Sequence, residues 1–339
     1  MSAAASGARR WPLVALALIG LGLAAAPLIF GMFDRGPQGA VMMKEFAPFM
    51  TDARLNGFQR HIRDIDAGVH EADGPVAAAL QGHGAAAHKR FDRRFAEFAQ
   101  FESDWGPIHA HMSDLLDTIQ ANAGNYRAVV ALPSFRLFPW FFVIPGLLAL
   151  ALAVAAAALP ARSQRAIRWA LVVLGIGLVL VPVAFQMFDR APKGGRMMTA
   201  FKTIETRKQV ETMQGYFGTI AVGQGALRLQ VVPALRRSGL SSRVIAQRFP
   251  DVATLNRRWV AILNDLTPMI GAMSDNVDNY QAVAALPPFG LFPWFFVAPG
   301  LLIAGLALAL GRRGRRTLPR VTAAGPFTTA STPNRGGVT

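Results

Sequence analysis

The chain has 339 residues, no cysteine, and 35 basic against 20 acidic residues, a formal net charge of +15. The lack of cysteine excludes a disulfide framework, a thiolate metal site and a cysteine nucleophile. Hydrophobic residues make up 52% and charged residues only 16%, against roughly 25% charged in a soluble domain, so lipid is expected as part of the solvent.

Residues 1–10 carry Arg9 and Arg10 and lead into a first apolar stretch, 11–31. Three more follow at 137–159, 169–188 and 291–310, none with a charged residue in its interior. About 20 apolar residues at 1.5 Å rise cross the hydrocarbon core, and a backbone in lipid must satisfy its own hydrogen bonds, so each is predicted to be a transmembrane helix. The first stretch, with Ala24-Ala25-Ala26 near its end, has the look of a signal peptide. The third repeats its pattern in mid-chain, so a retained anchor is the expectation.

Between the first and second spans, residues 33–136 read as helix. Phe46, Phe49, Met50, Phe58, Ile62 and Ile65 form one apolar stripe; Phe91, Phe95, Phe98, Trp105, Ile108, Met112, Leu115 and Ile119 form another, at spacings of three and four. Asp73-Gly74-Pro75 and the glycine-rich 82–84 region are predicted to break the helix between them. A loop, 160–168, joins the second and third spans. Residues 189–290 form the second long segment, with its break near Pro233 and Gly239. The tail, 311–339, is rich in Arg, Thr, Gly and Pro and is predicted to be disordered, lying on anionic lipid or docking a partner.

The charge distribution sets an orientation. The three short segments, 1–10, 160–168 and 311–339, hold eleven arginines and no acidic residue, while all 20 acidic residues lie in the two long segments. A basic excess in short flanking loops marks the cytoplasmic side. Both termini and the 160–168 loop are predicted inside, and both long segments outside. The arginines then read as topology determinants attracted to anionic lipid, and nucleic acid is not an expected partner, since no aromatic-interleaved basic face is present.

An internal repeat organises the whole chain. Gly20-Leu21-Gly22, Pro27, Met32-Phe33-Asp34-Arg35 and Met42-Met43 recur 155 residues later as Gly175-Ile176-Gly177, Pro182, Met187-Phe188-Asp189-Arg190 and Met197-Met198. From Arg94-Phe95 onward the offset is 154: Trp105 matches Trp259, Asn125-Tyr126 matches Asn279-Tyr280, and Leu137 to Val143 match Leu291 to Val297. Each unit, 11–159 and 169–310, holds an even number of spans, so the copies share one orientation, unlike the inverted repeats of many transporters. The predicted fold class is an all-α integral membrane protein with four transmembrane helices in two tandem parallel repeats. Its helical hairpins bury their stripes on each other as an extracytoplasmic four-helix bundle. This layout resembles the helical-hairpin sensor domains of bacterial chemoreceptors, with the symmetric dimer fused into one chain.

Several residues stand out as candidate sites. Phe138, Trp140, Phe141, Phe292, Trp294 and Phe295 form an aromatic collar, following Leu132-Pro133 and Leu286-Pro287-Pro288, that is suited to a lipid or a partner helix, or to setting a helix end at the headgroups. Asp34 and Asp189 are placed to cap the outgoing helices, and Arg35 and Arg190 to reach lipid phosphate. Asn125, Tyr126, Asn279 and Tyr280 are candidates for hydrogen bonds across the repeat axis or for capping the returning helix. All six histidines, His61, His70, His83, His88, His109 and His111, lie in the first long segment. With Asp104 and Asp114 they raise a metal or pH-sensing reading, but the matches to His109 and His111 are Leu263 and Asp265. Gly20, Gly22, Gly175 and Gly177 predict close helix approach, and Pro27 and Pro182 predict kinks.

Ion and proton pathways usually need charged groups inside the spans, and none is present; no phosphate loop, nucleophile elbow or zincin motif occurs either. The expected function is a non-catalytic bacterial envelope scaffold or accessory subunit, without cofactor, in a multi-pass position in the cell membrane. Its expected partners are membrane lipid and a membrane protein or a second copy. The alternatives are a ligand-sensing module, which with cytoplasmic segments of ten, nine and 29 residues needs a signalling partner, and a metal-dependent enzyme using the first-unit histidines.

Overall fold

The structure is a computed structural model and describes residues 3–313; the tail lies outside the described residues from position 314 onward. Every regular element among them is helical. The first half runs α1 (Ala3–Ile29), α2 (Met32–Phe46), α3 (Asp52–Glu71), α4 (Ala77–Gln81), α5 (Ala85–Arg94), α6 (Ala96–Val130) and α7 (Phe138–Ala158). The second runs α8 (Ala161–Ala184), α9 (Met187–Phe201), α10 (Arg207–Ala226), α11 (Val232–Arg237), α12 (Ser242–Arg248), α13 (Pro250–Ala284) and α14 (Phe292–Arg313). Matching elements have matching lengths: 15 residues in α2 and α9, 20 in α3 and α10, 35 in α6 and α13.

Four helical stretches, Trp11–Ile29, Phe135–Ala158, Arg162–Ala184 and Phe289–Leu310, are long and apolar enough to cross a membrane. They leave Leu18, Leu28, Val173 and Leu301 exposed, which fits lipid as their surroundings. Helix α1 pairs with α7 and α8 with α14. A Cβ on Gly20 would lie 2.7 Å from the carbonyl oxygen of Gly146, and one on Gly175 would lie 2.5 Å from that of Gly300, so these glycines bring backbone against backbone. Gly22 and Gly177 meet nothing within 4 Å; of each predicted pair, only the first glycine serves a helix crossing. Helix α1 ends two residues beyond Pro27, and α8 two beyond Pro182.

In the less apolar part, α3 packs on α6 and α13, and α10 packs on the same two helices. Helix α6 also lies on α9, and α13 on α2, so each long helix is buried largely against the opposite half. Phe58, Phe91, Phe98 and Phe249 are each under 2% exposed, and burying a side chain of that size stabilises by about 1.5–3 kcal/mol. Thr51 and Thr206 accept the backbone N–H of Arg54 and Gln209, starting α3 and α10 with the same cap.

The predicted break at Asp73-Gly74-Pro75 does not occur. Residues Ala72–Val76 form a π turn that continues α3 into α4, and Pro75 sits within it without ending the helix. Leu227–Val231, the matching residues, form the same π turn without proline or glycine, so the proline is tolerated there rather than responsible. The chain reverses at the predicted glycine-rich region, through Gly82 and Gly84, and at Gly239, all at positive φ, whereas Pro233 lies in the first turn of α11 and breaks nothing.

Candidate functional site

Where the halves meet next to the apolar helices, the aromatic stretches face inward. Phe138 and Phe292 are 5% and 3% exposed, with ring centroids 5.5 Å apart. Phe142 stacks on Phe296 at 4.7 Å, Phe135 meets Phe289 edge-on at 5.7 Å, and Phe141 meets Phe296 at 6.4 Å. The predicted collar therefore divides. Its phenylalanines join the halves, and Trp140 and Trp294, 50% and 56% exposed, remain outside, each with a phenylalanine edge-on, Phe33 or Phe188. Phe295 is partly buried against the core.

The predicted roles of the next residues need correction. The N-cap positions of α2 and α9 are Gly31 and Gln186, both left-handed, and no side chain caps either helix. Asp34 and Asp189 lie in the first turn, where their charge suits the helix dipole; Asp189 pairs with Lys193 at 2.6 Å. Arg35 does not reach outward for phosphate. Its Nη1 donates to the carbonyl of Ala285, the C-cap of α13 in the opposite half, and to that of Phe30. Arg190 repeats this with Ala131, the C-cap of α6, and Phe185. A guanidinium on an orphan helix C-terminus satisfies carbonyls and dipole together, and here each half caps the other.

Asn125, Tyr126, Asn279 and Tyr280 make no bond between halves. Each asparagine donates to the residue three before it, Asn122 or Asn276, and the tyrosine hydroxyls donate to the carbonyls of Met43 and Met198 within their own halves. Burial pushes the Tyr126 hydroxyl up to about 12 and raises that of Tyr280, which the nearby Glu205 also raises. Beside them Asn276 does bond across the halves, donating to Glu45 at 2.6 Å.

Between the two halves, residues of α2, α6, α9 and α13 and of the turns after α2 and α9 surround a cavity of about 20 Å³, room for one water-sized particle. Its walls include Phe46, Phe49, Met50, Met269 and Met273, and its single ionisable residue is Glu205. Glu205 is 4% exposed, and its Oε2 has no hydrogen-bond partner among the described residues. Burial pushes its carboxyl up to about 8. The repeat register places Met50 where Glu205 stands, so one position supplies a thioether from one half and a carboxyl from the other.

Further along, equivalent positions carry two versions of one polar junction. Between α3 and α13, Arg54 and His61 both bond Asp265, at 2.6 and 2.9 Å. The matching Gln209 and Tyr216, on α10, bond the two nitrogens of His111, on α6, at 2.9 and 3.0 Å. His109 instead stacks beside Trp105, so the two histidines serve different neighbours. Among the described residues, no three His, Asp or Glu side chains gather as a metal-ligand group.

Beyond this junction the halves diverge most. A groove of about 600 Å³ runs between α6 and α10, lined by Glu97, Phe101, Asp104, Gly215, Gly218 and Thr219 among others. At the matching place between α13 and α3, Arg258 stands for Asp104, Asp64 for Thr219, and Arg60 and Arg63 for the two glycines. Arg258 and Asp64 close that interface with a 2.6 Å ion pair. No motif marks the groove or Glu205 in the sequence, though both are visible as mismatches between aligned repeats. No family model, curated protein or solved structure matches the chain.

Proposed function

We propose that the chain is a non-catalytic envelope membrane protein with both termini cytoplasmic and two parallel repeats, whose extracytoplasmic four-helix bundle holds a membrane-protein partner. The groove between α6 and α10 carries this reading. At the matching place the repeats seal their joint with Arg258; here glycines leave the space open and two carboxylates, Glu97 and Asp104, border it, each accepting from a side-chain amide, of Gln230 and Gln100. Arg258 on Asp64 is the internal template for what fits: a partner segment presenting arginine or lysine to Asp104. Trp140 and Trp294 sit at the ends of apolar helices, where indoles anchor at lipid headgroups.

A photo-crosslinking residue in place of Thr219 tests this in intact membranes, with Asp64, its filled counterpart, as control. The expected result is one discrete adduct from position 219, absent from position 64 and lost when Asp104→Asn and Glu97→Gln remove the carboxylates. An adduct from both positions, or one indifferent to those charges, contradicts the reading. A ligand-sensing role is the second reading, favoured by the Glu205 cavity.

A further inference from the structure

We infer that the cavity headed by Glu205 is a binding site for a soft monovalent metal cation, Cu(I) in kind, held by the Glu205 carboxylate and the thioethers of Met50, Met269 and Met273. The site is independent of the α6/α10 groove and of any partner there.

Geometry carries the assignment. Met269 and Met273 are one helical turn apart on α13, and so share a face. Met50 and Glu205 occupy the same position of the two repeats, and all four side chains line one cavity with room for a single small particle. The carboxyl is 4% exposed and its Oε2 is aimed at no donor, whereas a buried polar atom normally has a partner. The remaining walls, Phe46, Phe49 and Phe201 among them, offer it nothing polar.

Charge and softness then select the ligand. An apolar cavity accepts Glu205 in two ways: as the neutral acid, or as a carboxylate neutralised by one positive charge. A divalent ion would leave an uncompensated charge in the same surroundings. Three neutral thioethers are poor donors to sodium or potassium, which prefer oxygen, and good ones to Cu(I). Binding replaces the acid proton by the cation, so one H⁺ leaves for each Cu(I) that enters, and no oxidation state changes. Matched positions of both repeats line the one cavity, Met50 with Glu205 and Ile119 with Met273, so the second half alone supplies the carboxyl and two of the three thioethers.

The test uses the detergent-purified full chain, whose lack of cysteine removes any thiolate background. Titrated anaerobically against the coloured Cu(I)–bicinchoninate complex, it is expected to withdraw one Cu(I) per chain. Methyl-labelled methionine NMR is expected to shift Met50, Met269 and Met273 but not Met112. The volume-conserving pair Met269→Leu and Met273→Leu keeps the core filled and is expected to weaken binding by about tenfold or more. Glu205→Leu, which removes the buried carboxyl and supplies no ligand in its place, is expected to abolish binding while raising the melting temperature, a combination that damage to the fold does not produce. Retention of all the copper by the chelator, or uptake unaffected by the methionine pair, overturns the proposal and leaves the cavity to a water molecule.

Discussion

Gly223 and Asp265 show how far single side chains decide the joint between the halves. A Cβ on Gly223 would lie 2.0 Å from Cγ of Phe101 and 2.6 Å from its Cβ, too close for a ring rotation to relieve. Gly223→Ala is therefore expected to cost about 2–3 kcal/mol through forced displacement of α6 from α10. Gly225→Ala, which meets nothing within 4 Å, is expected to be neutral or stabilising by up to about 1 kcal/mol, as alanine favours helix. Thermal melting of the two variants side by side checks both. Asp265 gives the pH dependence. Its bond from His61 is the largest effect on its carboxyl; desolvation opposes it, but the Arg54 hydrogen bond and the nearby positive charge add to it and leave the carboxyl below the ordinary value. A carboxylate held down in the folded state contributes stability above its unfolded value, near pH 4, and loses it as pH falls through the folded value. Because Asp265 is about a third exposed, the amount is of order 1 kcal/mol. Asp265→Asn is expected to lower the melting temperature at pH 6 and to flatten its decline below pH 4; an unchanged acid decline would assign that loss to other carboxylates.

Among the elements, the reciprocal arginine caps tie the apolar helices to the long helices beyond them. Arg35 leaves the start of α2 to close α13, and Arg190 leaves the start of α9 to close α6. Arg35→Met and Arg190→Met, which keep much of the stem, are each expected to cost about 1–2 kcal/mol from the lost charged hydrogen bonds and dipole interaction. Calorimetry on the single and double variants checks this. The two sites act on different helices, so the double variant is expected to be additive within about 0.5 kcal/mol. The same elements show what the sequence made legible. The four apolar helices follow from composition alone, because twenty uncharged residues have few other solvents. The stripes on α3 and α6 follow from spacing. Which stripe faces which does not, since periodicity names a buried face and not its occupant. The caps were hidden because the target of Arg35 is a backbone carbonyl 250 residues away, and carbonyls have no sequence signature. The π turns were hidden because Leu227–Val231 contains no residue type that announces one. Glu205 and the open groove were legible only by comparing the repeats position by position, where the mismatches matter more than the matches.

At the scale of the whole molecule, the sequence repeat accounts for both the firmness of the joint and its two exceptions. Matching residues from each half make the aromatic contacts and the terminal caps that join the halves, while matching glycines make the helix crossing within each half. Where the copies have drifted apart, a cavity and a groove open, and these are the places assigned to a cation and to a partner. The proposed function has the long helices on the extracytoplasmic side, and labelling of introduced cysteines tests that orientation most directly, since the chain has none of its own. Single cysteines replace the exposed His83 and Ser242, at the two helix reversals, and the exposed Ala166 near the start of α8. Intact cells then meet a membrane-impermeant maleimide. The account predicts labelling at 83 and 242 and protection at 166 until the membrane is opened; labelling at 166 with protection at 83 and 242 would contradict it.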